Sequence, residues 1–151
     1  MNKYMRMAIN EAKKGIKEGH GGPFGAVIVK DNKVVAKGHN LVLKTNDPTN
    51  HGEMMAIHKA CKKLQTYDLS GCEIYTTGEP CPMCMAAILW ANIDKVYYGC
   101  NILDTENIGF RDAKFYEMQK PGEREKLVKE IDREECLKLY KEYISLKHTI
   151  Y

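Results

Sequence analysis

Apolar residues return every three or four positions over residues 2–18. Met5, Ala8, Ala12 and Ile16 fall on one face and Lys13, Lys14 and Lys17 fall off it. That period predicts an amphipathic helix, ended by Gly19, Gly21 and Gly22. The pattern then changes to two runs rich in β-branched residues, 25–30 and 33–36, around Asp31-Asn32. This predicts a β-hairpin, with Phe24 and Asn40 side by side at its outer ends. Residues 41–50 read as a loop whose Asn46-Asp47-Pro48-Thr49 turn leads into a helix over 51–64, apolar on Met54, Met55, Ile57 and Cys61. A short strand at 72–77, an apolar helix at 82–91 and a buried strand at 95–100 follow. The remainder reads as an irregular loop over 101–112, a short helix near 113–119, a break at Pro121-Gly122, an edge strand at 127–131 and an amphipathic helix from 134 to about 146. This order predicts an α/β fold: a three-layer αβα sandwich on a mixed five-stranded sheet. Residues 1–151 are expected to form a single domain.

Chemistry concentrates at the starts of two of these helices. His51-Gly52-Glu53 opens one and Pro80-Cys81-Pro82-Met83-Cys84 opens the other. His51, Cys81 and Cys84 are N and S donors of the kind zinc prefers, and three protein ligands leave a fourth, catalytic position open. A helix N-terminus lowers a cysteine pKa, which favours thiolates at Cys81 and Cys84. Glu53, two residues from a ligand, can work as a general acid–base without binding the metal. A structural zinc ribbon needs a second Cys pair, and a thioredoxin-like redox pair leaves His51 and Glu53 without a role. One Zn2+ per chain is expected.

Composition adds little that conflicts. The 151 residues carry a net charge of +3 and 44% hydrophobic residues, enough for one core and too weakly basic to require a nucleic-acid partner. From Lys120 to Tyr151, eight Lys/Arg are interleaved with seven Asp/Glu, a solvated face with no basic patch. Six cysteines without an apolar leader segment near Met1 or a membrane-length stretch suit reduced thiols in the cytoplasm. Cys61, Cys72, Cys100 and Cys136 read as small buried apolar residues.

His-x-Glu followed by Pro-Cys-x-x-Cys is the signature of zinc deaminases acting on nucleobases. From Gly22-Pro23-Phe24-Gly25-Ala26-Val27 to Gly109-Phe110-Arg111-Asp112, and more weakly to Tyr151, the chain resembles the cytidine-deaminase-like superfamily. Within it the chain looks most like the small bacterial guanine deaminases. Ala60-Cys61-Lys62-Lys63-Leu64, Trp90 and the Gly-Phe-x-Asp segment point that way, whereas Asp47-Pro48-Thr49 is shared with tRNA adenosine deaminases. The resemblance implies hydrolytic deamination of guanine to xanthine and ammonia. It implies that Phe24, Asn40, Gly52, Trp90 and Asp112 surround the base. It also implies a domain-swapped homodimer in which 134–151 cross to the partner and Tyr151 closes the partner's site. Gly52 stands where Ala is usual in that branch, and Arg111 where Asp is common. The competing readings are a deaminase of cytosine or another free base or nucleoside, a tRNA adenosine deaminase, and a non-catalytic zinc-stabilised binding protein. The last has no use for Glu53.

Residues 134–151 carry Leu137, Tyr140, Tyr143, Ile144, Leu146, Ile150 and Tyr151. That is too apolar for a free tail, so this segment is expected to pack on a surface, its own or a neighbour's.

Overall fold

The computed structural model describes residues 1–151. Its sheet has four strands: β1 (Gly25–Lys30), β2 (Lys33–His39), β3 (Cys72–Gly78) and β4 (Lys95–Cys100), in the order β2-β1-β3-β4. β1 pairs antiparallel with β2 and with β3, and β3 pairs parallel with β4. The hairpin turn is made by Asp31 and Asn32, both in the left-handed region at φ 48° and 60°, a conformation these two residue types tolerate. A bulge at Val35 shifts the β1–β2 register, and β2 continues past Ala36 to His39.

Side chains alternate across the sheet and build two cores. Ala26, Ile28 and Ile74 face α3 (Gly52–Leu64) and α4 (Pro82–Trp90), where they pack with Ala56, Ile57, Ala60, Ile88 and Ala91. Val27, Val29 and Tyr75 face the other way, onto Tyr4 and Ala8 of α1 (Lys3–Lys17). The result is three layers, with α1 on one face and α3 and α4 on the other. A period of two in the strands and of 3.6 in the helices produces it directly.

Three expectations are corrected. The sheet has four strands, because 127–131 does not add a fifth: Arg124–Lys126 is a single 3-10 turn and the residues after it are unpaired. Leu127, Val128 and Ile131 are all exposed, so an apolar, strand-like stretch finds no ladder to join. β4 is an edge strand with no buried residue, so it is not the buried strand its composition suggests. Finally, the loops at 41–50 and 101–112 contain short helices, α2 (Val42–Thr45) and α5 (Ile102–Asn107). The second is closed by a capping box between Asn101 and Asp104. α6 (Asp112–Met118) follows at the place expected.

The chain beyond α6 buries little of itself. α7 (Arg133–Ser145) has no buried residue, and Leu139, Tyr140, Ile144, Leu146 and Ile150 are exposed along with it. No helix is long and apolar enough to cross a membrane.

Candidate active site

His51 is the N-cap of α3 and Cys81 the N-cap of α4, both with extended backbone. Neither side chain caps its own helix, so the imidazole and the thiol stay free to converge. Pro82 starts α4, where its missing N–H costs nothing, and one turn further Cys84 points back at the same spot. His51 Nδ1 lies 3.6 Å from Cys81 Sγ and 3.5 Å from Cys84 Sγ. A tetrahedral zinc with ordinary Zn–N and Zn–S bond lengths sets its N and S ligands roughly 3.5 Å apart. The three donor atoms all fall within 4.8 Å of one another. Donor type, number and spacing therefore fit one zinc ion with a position left open.

The protein groups alone already share charge here. Hydrogen bonding from Cys84, and then from His51, holds the Cys81 thiol down at about 4. The same contacts with Cys81 push the Cys84 thiol up and raise His51. Glu53, in the first turn of α3, is 5% exposed, and burial raises its carboxyl above the usual range. Its Oε2 is 3.5 Å from Cys84 Sγ. A carboxyl that holds a proton more readily than one in water, placed against the metal donors, is suited to proton transfer.

Two adjoining cavities open on this cluster. One, of about 390 Å3, is lined by Phe24, Asn40, His51, Glu53, Cys81, Phe110 and Asp112 among others. The second, of about 440 Å3, shares His51, Cys81, Asp112 and Phe115 with it and extends to Met118, Gln119 and Arg124. Phe24 and Asn40 meet as the hairpin reading anticipates: Asn40 N–H donates to the Phe24 carbonyl at 2.9 Å. The Phe24 ring meets Phe110 edge-on, with centroids 4.9 Å apart. Asp112 opens α6, and burial raises its carboxyl.

Gly52 lines neither cavity. It sits behind Phe24: a Cβ there would lie 2.9 Å from the Phe24 carbonyl oxygen, so Ala at this position requires the Phe24 backbone to shift. Arg111 lies over the Phe115 ring at 5.0 Å, on the cavity wall next to Asp112. Trp90 and Tyr151 are elsewhere. Trp90 is 67% exposed at the end of α4, Tyr151 is 73% exposed, and the two rings pack on each other with centroids 5.9 Å apart. Tyr67 joins them at 5.9 Å from Tyr151.

Two supporting groups hold the ligand loop. Glu79 accepts the Ile102 N–H at 3.0 Å, which ties the residue ahead of Pro80 to the start of α5. Tyr116 donates its hydroxyl proton to the Pro80 carbonyl at 2.6 Å. Sequence reading passed over Tyr116. The available signal was its i+4 spacing from Asp112 on a short helix, which puts both residues on one face.

A sheet sandwiched by helices, with a His-Cys-Cys metal site and a buried Glu at one end, defines a zinc hydrolase. The family described as the cytidine and deoxycytidylate deaminase zinc-binding region matches residues 1–100, and the chain belongs to it. The guanine deaminase of Bacillus subtilis is 48% identical over 121 residues, covering 80% of this chain and 78% of that protein. A crystal structure of guanine deaminase from that organism superposes with a TM-score of 0.91 at 39% identity, covering 100% of this chain and 99% of that one. The tRNA-specific adenosine deaminase of Aquifex aeolicus is 37% identical over 80% of this chain and 87% of its own length. The protein is thus a zinc-dependent deaminase.

Proposed function

We propose that this protein deaminates free guanine to xanthine and ammonia. One observation carries the reading: Asp112 opens onto the same cavity as Glu53 and the metal donors His51 and Cys81. Guanine presents N1–H and the 2-amino group as adjacent donors, and a carboxylate is their natural acceptor. A base held this way has the carbon bearing its 2-amino group beside the metal donors. The likeness to the Bacillus subtilis enzyme over the whole chain supports the same substrate.

Zinc held by His51, Cys81 and Cys84 supplies Lewis acidity, which makes water a competent nucleophile near neutral pH. Glu53 takes up the proton that the attacking water gives up. Its carboxyl passes that proton to the neighbouring ring nitrogen that carries no hydrogen, then takes the proton of the hydroxyl left on the attacked carbon and passes it to the departing amine, so that water and guanine leave as xanthine and ammonia. Phe24 and Phe110 cover a face of the base, and Asn40 serves its other edge.

An RNA substrate is disfavoured by charge. Lys120, Lys126 and Lys138 are each paired with a Glu three residues away, at 2.6–2.7 Å, which neutralises these three lysines of the C-terminal region. The cytoplasm suits the site, because Cys81 and Cys84 bind metal only when reduced.

Tyr151 and Trp90, read as base contacts, pair on the outside of their own chain. We read the C-terminal segment, α7 through Tyr151, as exchanged with a second copy in a homodimer, where Tyr151 closes the partner's site. The exposed apolar side chains of α7 support this, as does the absence of any buried residue in it. Exchange of a terminal element is a low-cost route to a two-fold dimer. Mixing two inactive variants tests it: Glu53→Gln, and a chain truncated before α7. Re-association is expected to restore activity, because the truncated chain's intact site receives the other chain's tail. If the tail works within its own chain, mixing restores nothing.

A further inference from the structure

A second polar cluster lies outside the metal site, where the C-terminal half of α1 meets the end of β2. His39 Nδ1 is 3.1 Å from Glu11 Oε2, His39 Nε2 is 2.9 Å from His20 Nδ1, and His20 Nε2 is 3.0 Å from Glu18 Oε2. The two imidazoles are largely buried, with side chains 11% and 12% exposed. Their planes are 13° apart and their centroids 5.2 Å apart. The centroid distance exceeds the nitrogen distance by the two ring radii. Both nitrogens therefore lie on the line joining the ring centres, and the rings share nearly one plane. This is an in-line N–H···N hydrogen bond and not a face-to-face stack. It also excludes a metal between the rings, since in-line nitrogens 2.9 Å apart cannot both aim at an ion roughly 2 Å from each.

The three contacts form one chain, Glu11–His39–His20–Glu18, in which each imidazole uses both of its ring nitrogens.

The cluster grips the wall of the base cavity. Gly15 makes room on α1: a Cβ there would lie 2.6 Å from His39 Cδ2. The His20 carbonyl accepts the N–H groups of Leu43 and Lys44 at 3.0 and 3.2 Å. Asn40, next after His39 and 4% exposed, accepts the Val42 N–H on Oδ1 at 3.0 Å, and Gly21 has no room for a Cβ against the same oxygen. With Oδ1 engaged, the amide N–H groups of Asn40 are the part left for a ligand.

We infer that Glu11, His39, His20 and Glu18 form one hydrogen-bonded clamp that sets the orientation of Asn40, which makes His20 and His39 positioning residues for base binding. This rests on the reading of Asn40 as a contact to the base. The test joins NMR of histidine-labelled protein to kinetics of His20→Ala and Glu11→Gln. Because the two rings are bonded to one another, Glu11→Gln is expected to move the ring-nitrogen signals of His20 as well as those of His39. His20→Ala is expected to raise KM for the base roughly 3–10-fold, the worth of one lost hydrogen bond, with kcat near wild type and a full complement of zinc. Glu11→Gln shifts KM in the same direction and reports on the clamp even if His20→Ala does not fold. His20 ring signals that ignore Glu11→Gln overturn the clamp, and so does a loss confined to kcat or an unchanged KM. If wild type prefers a base other than guanine, the variants are assayed on that base, so failure of the guanine reading leaves this test standing.

Discussion

Glu53→Gln is expected to lower turnover roughly 10²–10⁴-fold while zinc content and fold stay intact. The substitution keeps the shape of a side chain that is 5% exposed and removes only its ability to take and release a proton. The zinc donors are His51, Cys81 and Cys84, so metal binding does not need the carboxylate. Burial already disfavours the charged form of Glu53, so neutral Gln costs no folding stability, and the melting temperature is expected to hold or rise. Steady-state kinetics, metal analysis and a melting curve on one preparation check all three. Near-normal turnover by a zinc-replete Glu53→Gln enzyme would refute the assigned role.

Asp112→Asn is expected to lower kcat/KM for guanine with zinc content unchanged. Asn offers guanine's N1–H and amino group one weaker acceptor, and its own N–H2 faces donors. Leaving a polar group unserved in a closed pocket costs about 1–3 kcal/mol, which is roughly a 5- to 150-fold loss at 1.4 kcal/mol per factor of ten. The effect should be selective, because a base lacking that pair of donors has nothing to lose. Equal losses on guanine and on cytosine would mean that Asp112 supports the site in general and does not read the base.

The metal site was legible because each of its residues lies beside a local signal. A turn followed by an amphipathic run marks the start of α3, and Pro82 marks the start of α4, so two stretches near in type could be placed at equivalent helix ends. Phe24 and Asn40 were legible for a similar reason: a hairpin brings its outer ends together whatever surrounds it. Residues 127–131 were not, since a strand exists only if a neighbour offers its edge, and the pattern Leu-Val-x-x-Ile says nothing about neighbours. The same limit explains β4, whose apolar and aromatic side chains suggested burial that no covering layer provides. The clamp of Glu11, His39, His20 and Glu18 was also invisible, because its members are separated by up to 28 positions and follow no period. Trp90 and Tyr151 carry a resemblance that their own chain does not satisfy, and their pairing on the outer surface became visible only in three dimensions.

The central claim concerns the substrate, and ammonia release measured over a panel of guanine, cytosine, adenine and their nucleosides tests it most directly. The account predicts that zinc-loaded protein releases ammonia from guanine with formation of xanthine, and that guanine has the highest kcat/KM of the panel. A higher kcat/KM on cytosine, adenine or any nucleoside, or no turnover of guanine by zinc-replete enzyme, would contradict it.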